Sequence, residues 1–240
     1  MLALQGSATD RGVGVITRTL VSDGSARAYE AKSHRYFSNA RSDFVERLPH
    51  DDTARVLEVG CGTGATGALA LERGRAGHYA GIELFPAAAD AAGEVLSEVL
   101  CGDIEKIELP WQPAAFDALI LSEVLEHLVE PWAVLDKLAR VVRPGGLVLA
   151  SSPNVAHWRV VRELVLGRFE LADQGVFDRT HMRWFTPESY AAMFERAGFA
   201  VVEVAPVTPF SERTRIVSSL TGGRFDHLFM TQISIEAVRR

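Results

Sequence analysis

The chain has 240 residues, 48% hydrophobic and 23% charged, which is typical of globular domains and excludes a disordered or fibrous chain. Its net charge of −6 argues against broad contact with nucleic acid phosphates, and no apolar stretch approaches the roughly 18 residues that span a bilayer. The N-terminus lacks a secretory signal pattern and the two cysteines cannot build a disulfide framework, so we expect a cytoplasmic protein with no membrane or nucleic acid partner.

The N-terminal part is predicted to be separate from the main domain. Residues 1–25 mix small and polar residues without a period, which indicates a loose leader. Charged and aromatic residues between Arg27 and Leu48 are typical of one or two helices, which end at Pro49. We therefore expect a leader with a helical lid over residues 1–48, followed by one domain over residues 49–240.

From residue 54 onward, apolar runs alternate with helical patterns at a spacing of about 20 residues. The predicted strands are 54–60, 78–84, 97–102, 116–122, 146–152, 200–206 and 229–238. Four helices are predicted in this region. The first follows the glycine-rich turn and extends to about residue 73, and the others begin at Pro86, at Pro131 and at Pro187, the last after the cap Thr186. Such alternation predicts an α/β fold with a mostly parallel, doubly wound sheet.

A glycine-rich turn joins the first predicted strand to the following helix. Gly60, Gly62 and Gly64 allow a sharp turn and a close approach between the backbone and a ligand, with amides exposed at a helix N-terminus. A tight turn without a ligand is the alternative interpretation. The position after a strand and before a helix favours a nucleotide-type ligand.

Acidic residues around this turn indicate which ligand it binds. Glu58 lies within the first strand, Glu83 ends the second and Asp103 follows the third. A dinucleotide carries a pyrophosphate and favours basic groups, whereas S-adenosylmethionine carries a sulfonium, an ammonium and two ribose hydroxyls, which favour acids. Charge therefore favours S-adenosylmethionine, and an NAD(P)-dependent oxidoreductase, which shares the turn, is the alternative.

The segments VLEVGCGTG, GIEL, GDI, FDALILSEVLEHL and RPGG, in that order, resemble the motifs of class I S-adenosylmethionine-dependent methyltransferases. The resemblance extends over about residues 29–206. It implies a Rossmann-like, seven-stranded, mostly parallel sheet with an antiparallel last strand and helices on both faces, and it makes residues 49–240 the cofactor-binding domain.

Carried over onto this sequence, the resemblance implies specific contacts to the cofactor. The glycines would contact its methionine portion, Glu83 the ribose and Asp103 the adenine, and Ser122 would line the methyl-donor pocket. Arg41 resembles an arginine that binds the methionine carboxylate in ubiquinone-pathway O-methyltransferases. The complete predicted cofactor set is Arg41, Glu58, Gly60, Gly62, Gly64, Glu83, Leu84, Asp103, Ile104 and Ser122.

Glu123, Glu126 and His127 follow the fourth strand as E-x-x-E-H. If this segment is helical, the three side chains share one face and suit Mg²⁺ or Mn²⁺. An exposed helix start, with acids at the positive end of the dipole, is the alternative. The segments SSPN and FDRTHMRWFTPESY resemble small-RNA 2′-O-methyltransferases, and this resemblance implies His181 as a fourth ligand.

The segments YFSNAR, GDIEKIELP, PNVAHW and LGRFEL resemble bacterial methyltransferases associated with glycosyltransferases. Together these resemblances imply O-methylation of a small vicinal diol, either a sugar or a catechol-like ring, with possible assistance from a metal. His127 and His181 are the candidate catalytic bases. N-methylation of an amino sugar or other small amine and a non-catalytic binding module are alternatives, and we expect a monomer or a homodimer.

Overall fold

A seven-stranded sheet forms the centre of the structure, a computed structural model that describes residues 40–240. The strand order is β3-β2-β1-β4-β5-β7-β6, and all strands are parallel except β7, which is antiparallel to both of its neighbours. The strands are β1 Arg55–Val59, β2 His78–Glu83, β3 Glu98–Cys101, β4 Phe116–Ser122, β5 Val142–Pro153, β6 Phe199–Pro206 and β7 Gln232–Arg239. The predicted mostly parallel α/β sheet is confirmed.

Seven α-helices connect and flank these strands within the described residues. They are α1 Ser42–Arg47, α2 Ala65–Glu72, α3 Pro86–Gly93, α4 Pro131–Val141, α5 Trp158–Val165, α6 Pro187–Arg196 and α7 Glu212–Thr221. Short 3-10 turns occur at Leu125–His127 and Asp226–Leu228. The sequence patterns did not predict α5 and α7. The rest of the predicted leader and lid, residues 1–39, lies outside the described residues.

The sheet is covered on both faces because each face has its own apolar core. Leu57 and Val59 of β1 belong to one core, which includes residues of α4 and α6 such as Leu135 and Phe194. Val56, next to Leu57 on the same strand, belongs to a second core, which includes residues of α1, α2 and α3. Alternate residues of one strand thus serve opposite faces, as in doubly wound sheets.

The predicted elements differ from the observed ones in a few places. β5 begins at Val142 rather than at residue 146, because Val142 pairs with Phe116 across a register shift.

The predicted helix cap is confirmed, since the Thr186 side chain accepts a hydrogen bond from the backbone amide of Ser189 at 3.2 Å. No helix within residues 40–240 combines the length and apolar character that crossing a membrane requires.

The carboxyl ends of β1 to β6 lie at one edge of the sheet because these strands run in the same direction. The strand order reverses between β1 and β4, where the connections leave toward opposite sides. Open α/β sheets bind ligands at such a switch point. The topology therefore places the glycine-rich turn after β1 and the acidic segment after β4 side by side.

Gly67 of α2 packs closely against side chains beneath this helix. A β-carbon at Gly67 would lie 2.5 Å from Cδ1 of Tyr79 and would also contact Leu96, both of which are buried. Gly93, at the end of α3, has no heavy atom within 4 Å of the corresponding position. The two glycines differ in packing although both are helical.

We therefore expect Gly67→Ala to destabilise the protein by ~1–3 kcal/mol, since the buried ring and the helix must move apart. Gly93→Ala should be neutral or slightly stabilising, because alanine favours helix and meets no neighbour. Urea denaturation of the two variants and the wild type measures the difference. Equal stability of the two variants would show that α2 does not approach the sheet as closely as described.

Candidate active site

A cavity of about 970 Å³ opens at the carboxyl edge of the sheet, where β1, β2, β3 and β4 end. The predicted cofactor-binding residues that line it are Arg41, Glu58, Gly60, Gly62, Glu83, Leu84, Asp103, Ile104 and Ser122. The cavity is large enough for a cofactor and part of a small acceptor. The tertiary structure thus brings together residues that are spread over more than 80 positions of the chain.

The glycine turn adopts left-handed backbone conformations that favour glycine. The φ angles are 73° at Gly60, 55° at Gly62 and 84° at Gly64. Gly64 is absent from the cavity lining; a β-carbon there would lie 2.8 Å from a methyl carbon of Val95. The structure therefore places Gly64 in the packing beneath the turn, whereas Gly60 and Gly62 face the cavity.

Glu83 connects this turn to the end of β2. Its Oε2 accepts a hydrogen bond from the amide of Gly62 at 2.8 Å, and its Oε1 accepts one from the amide of Phe85 at 3.0 Å. Burial raises the pKa of Glu83, and the backbone hydrogen bonds oppose this by lowering it. Each carboxylate oxygen can accept a further hydrogen bond, so Glu83 can also accept from two adjacent hydroxyls.

Arg41 is the residue immediately before α1, and its side chain extends into the cavity. Its guanidinium donates hydrogen bonds to the hydroxyls of Ser122 and Ser151, at the ends of β4 and β5. It also forms a two-point ion pair with Asp43 at 2.9 and 2.8 Å and lies 3.8 Å from the ring centre of Phe44. These contacts hold the positive charge of Arg41 next to Ser122, where Ser122 faces the cavity.

Glu58 is a buried acid on β1 beneath the glycine turn, with 3% of its surface exposed. Burial raises its pKa to about 7, although hydrogen bonds from Tyr79 and Thr66 and the charge of Arg41 act to lower it. The hydroxyl of Tyr79 donates to Glu58 Oε2 at 3.0 Å. A carboxyl group with this pKa changes charge near neutral pH and can complement a bound cation.

Asp103 lies at the cavity wall after β3. Its Oδ2 lies 2.7 Å from the Nζ of Lys106, and its Oδ1 accepts the amide of Glu105 at 3.0 Å. Lys106 and Arg41 are the Lys and Arg side chains among the described residues that line the cavity, and both are ion-paired with aspartates. Because each of these cations already has an aspartate partner, the described lining offers little unbalanced positive charge to a pyrophosphate.

The segment after β4 is not the regular helix that the E-x-x-E-H spacing assumed. The amide of Glu123 donates to the carbonyl of Ser151 at 3.2 Å, which continues the pairing of β4 with β5. The chain then turns sharply with a φ of 54° at Glu123, and the 3-10 turn Leu125–His127 follows. The assumption that Glu123, Glu126 and His127 share one helical face is therefore wrong.

Glu126, His127 and His181 form a cluster of potential metal ligands. Each residue offers one ligand atom within 4.8 Å of the others, and the two imidazole rings are 4.7 Å apart between centres. Glu123 is not part of this cluster. Three of the four predicted ligands thus converge, including His181, which comes from a distant segment.

Backbone contacts orient both histidines. The Nδ1 atoms of His127 and His181 lie 3.1 Å from the carbonyl oxygens of Thr180 and Val176, respectively. With a proton on each Nδ1, these contacts are hydrogen bonds and each Nε2 keeps its lone pair, the usual state of a metal-binding imidazole. In that tautomer, both imidazoles could direct a lone pair toward a shared ion.

The segment that carries His181 is attached to the 3-10 turn by backbone hydrogen bonds. The amides of Met182 and Arg183 donate to the carbonyl of Glu126 at 2.8 and 3.0 Å. Asp178, which is buried, accepts from the amide and hydroxyl of Thr180 at 2.8 and 2.7 Å. These contacts explain why His181 lies next to Glu126.

Of the cavity residues that sequence reasoning missed, three come from segments that follow β5. Met182 follows the predicted ligand His181 within the segment FDRTHMRWFTPESY, Val207 follows β6, and Gln232 begins β7. Burial raises the pKa of Glu123, opposed by hydrogen bonds with Ser151 and Gln232 and by the charge of Arg41. Only the fold could have found these residues, because single apolar and amide side chains give no spacing signal.

Comparisons with known proteins agree with this geometry. The family described as "Methyltransferase domain" matches residues 30–204. A ubiquinone biosynthesis O-methyltransferase of Xylella fastidiosa (strain M23) is 30% identical over 195 residues, which is 74% of each chain. A trans-aconitate 2-methyltransferase of Azoarcus sp. (strain BH72) is 30% identical over 120 residues, 49% of this chain and 46% of that protein.

Solved structures share the fold. An S-adenosylmethionine-dependent methyltransferase from Archaeoglobus fulgidus superposes with a TM-score of 0.59 at 19% identity, covering 86% of this chain and 97% of that chain. The chain belongs to the family of methyltransferase domains and is an S-adenosylmethionine-dependent methyltransferase. This membership favours methyl transfer over the oxidoreductase alternative.

The raised pKa of Glu58 gives a testable pH dependence. The ordinary value is 4.5 and the folded value is about 7, so the folded state binds the proton more tightly than the unfolded state. The free energy of unfolding should therefore fall as the pH rises through this window, by up to about 3 kcal/mol from this group. Glu58→Gln should remove this contribution.

Denaturation of the cofactor-free wild type and Glu58→Gln at several pH values across the window measures the effect. Glu72→Gln, at an exposed position on α2, is the matched control and should retain the wild-type pH profile. Parallel profiles for the wild type and Glu58→Gln would rule out the proposed protonation.

Proposed function

We propose that this methyltransferase methylates an oxygen of a small vicinal-diol acceptor and that Glu126, His127 and His181 hold a divalent metal ion for this reaction. The observation that carries the proposal is the convergence of these three side chains beside a cavity that His127 itself lines. Two imidazoles and one carboxylate suit a borderline ion such as Mn²⁺ better than Mg²⁺, which prefers oxygen ligands. We further propose that the protein acts in the cytoplasm, as a monomer or homodimer, on small molecules rather than nucleic acid.

The cavity walls fit S-adenosylmethionine better than a dinucleotide. Two backbone amides orient Glu83, which can accept hydrogen bonds from the ribose hydroxyls. Asp103 follows the next strand, β3, where it can contact the adenine. Glu58 and Arg41 supply opposite charges for the ammonium and the carboxylate of the methionine portion. When bound, this cofactor supplies an electrophilic methyl group on a sulfonium.

The residues of the chain contribute mainly by orientation. Methyl transfer is an in-line displacement, so holding the acceptor oxygen in line with the donor lowers the barrier most. We divide the cavity lining into a cofactor half, with the residues at the ends of β1 to β3, and a second half with Glu123, Met182 and Gln232, and we place the linked side chains of Ser122 and Arg41 between them. We assign the second half to the acceptor.

An ion held by these three side chains would keep coordination positions free for two adjacent acceptor oxygens. A bound divalent ion would lower the pKa of an acceptor hydroxyl. In this arrangement His127 and His181 are ligands rather than proton acceptors. They become the candidate bases only if no metal binds.

Glu123 is the side chain best placed to receive the proton of the acceptor. Although Ser151 and Gln232 lie near its carboxyl group, the buried Oε1 atom has no hydrogen-bond partner of good geometry among the described residues. The residue lines the cavity but lies outside the metal-ligand cluster. We therefore reassign Glu123 from metal ligand to an acceptor contact, with Oε1 accepting the hydrogen bond of the hydroxyl.

The charged residues of the cavity lining also indicate which charge the acceptor carries. Both cations of the described lining, Arg41 and Lys106, are ion-paired, whereas Glu123 and His127 face the acceptor half. A neutral polyol or a cationic amine fits this half better than an acceptor with several carboxylates. N-methylation of an amino sugar or other small amine is the second candidate because a carboxylate such as Glu123 complements an ammonium.

Glu83→Gln tests the cofactor assignment. The amide nitrogen of glutamine cannot accept hydrogen bonds from the ribose and the backbone as both carboxylate oxygens do. We expect S-adenosylhomocysteine to bind roughly 10- to 100-fold more weakly by calorimetry. The control Glu72→Gln should bind as the wild type, and NAD should not raise the melting temperature of either protein. Stabilisation by NAD would contradict the assignment.

The metal proposal is tested by titrating Mn²⁺ into protein saturated with S-adenosylhomocysteine. We expect the wild type and Glu123→Gln to bind Mn²⁺ alike, and Glu126→Gln and His181→Ala to lose binding because each removes a ligand. His50→Ala, an exposed histidine, is the control. Loss of binding in Glu123→Gln would instead make Glu123 a ligand.

Turnover separates the role of Glu123 from that of the metal. With catechol and sugar diols as acceptors, Glu123→Gln should lose about a hundredfold or more in kcat while keeping its cofactor affinity. Wild-type turnover of simple amines without any metal would favour the second candidate. Unchanged kcat in Glu123→Gln would contradict the acceptor contact.

A further inference from the structure

Large apolar side chains are exposed on two segments, 158–184 and 212–225, which we call the apolar rim. Its members in the first segment are Trp158, Val161, Leu164, Val165, Leu166, Phe169, Leu171, Met182 and Trp184, and in the second Ile216, Val217, Leu220 and Phe225. Val165 and Leu220 are 80% and 82% exposed. Scattered exposed apolar residues are ordinary, but a concentration of this kind marks an interaction surface.

The helices of the apolar rim turn their apolar residues away from the protein. Val160 is the buried residue of α5, and α7 has none. A helix of a globular domain normally packs its apolar stripe on the core. These two helices therefore do not draw their place in the fold from burial of their own side chains.

Arginines are interspersed with these apolar residues. The segments 158–184 and 212–225 contain Arg159, Arg162, Arg168, Arg179, Arg183, Arg213, Arg215 and Arg224 against five acids. The two segments carry three more arginines than acids within a chain whose net charge is −6. Arg162 and Arg168 are paired with Glu163 and Arg179 with Asp173, so the excess charge lies on the remaining arginines. The guanidinium carbons of Arg159 and Arg162 lie 5.4 and 6.0 Å from the ring centre of the exposed Trp158.

Both segments lie at the cavity edge of the sheet. α5 follows the end of β5, α7 follows the end of β6, and these two strands run parallel through their shared neighbour β7. Asn154, which precedes α5, donates from its side-chain amide to the carbonyls of His227 and Met230, between α7 and β7, at 2.7 and 2.8 Å. Met182 belongs both to the rim and to the cavity lining.

We infer that the apolar rim docks the protein on the surface of an anionic lipid bilayer, with the cavity mouth toward the headgroups. Exposed aliphatic residues enter the boundary between headgroups and acyl chains, tryptophans prefer that boundary, and arginines bind anionic headgroups while their stems lie along apolar surface. The net positive charge of the two segments favours an anionic bilayer over a second copy of the chain, whose matching face would carry the same net charge. The inference does not depend on which acceptor is methylated, and it replaces the sequence-based expectation of no membrane contact.

Sedimentation of the full chain with lipid vesicles tests the inference. We expect binding to vesicles of phosphatidylcholine with phosphatidylglycerol, weaker binding at high salt, and much weaker binding to phosphatidylcholine alone. Val165→Ser and Leu220→Ser should each weaken binding roughly tenfold, because each removes an inserted side chain. Arg213→Gln should weaken it about fivefold, and only with anionic vesicles.

Val202→Ser is the matched control, since Val202 is 62% exposed on β6 outside the rim and should leave binding unchanged. Circular dichroism and melting temperature establish that the variants fold. Absence of binding to anionic vesicles, or equal losses in Val202→Ser and the rim variants, would overturn the inference. So would a dimer in size-exclusion chromatography that the rim substitutions dissociate, which would assign the surface to a second copy of the chain.

Discussion

The hydrogen bonds that Glu83 accepts from the amides of Gly62 and Phe85 hold the cofactor side of the cavity together. They join the turn after β1 to the end of β2, so that a buried carboxylate fixes the backbone that must approach the ligand. Burying Glu83 and Glu58 in the same wall costs free energy, which appears as raised pKa values for both. A ligand with positive charge and two hydroxyls compensates this cost, whereas a pyrophosphate would add to it.

On the acceptor side of the cavity, backbone hydrogen bonds rather than a buried carboxylate position the functional residues. Glu126 and His127 lie on a 3-10 turn, and the carbonyl of Glu126 accepts two amides from the segment that carries His181. Backbone hydrogen bonds hold this segment in place, so the two histidines are positioned by the backbone rather than by mobile side chains. A metal site requires ligands that are fixed in this way. The same segment continues into the apolar rim through Met182, so the proposed chemistry and the proposed membrane contact share one structural unit.

Local patterns predicted the sheet well because each strand is an apolar run between turn residues. The glycine turn, Glu83 and Asp103 were found because each follows a strand end, where parallel topology must gather them. The helix α7 was missed because it buries nothing and contains β-branched Ile216 and Val217, so neither periodicity nor propensity signals it. The helix α5 has a clear apolar stripe, but the stripe points away from the core.

The sequence by itself determined the strand–helix alternation, the cofactor turn and its acidic walls, because these depend on neighbours along the chain. Only the tertiary structure decided which acids and histidines meet. The pairing of β4 with β5 turns the chain at Glu123 and removes this residue from the metal-ligand cluster, and a docked segment brings His181 into it. Contacts of this kind join residues far apart in the chain, so no spacing rule within a single helix or strand can predict them.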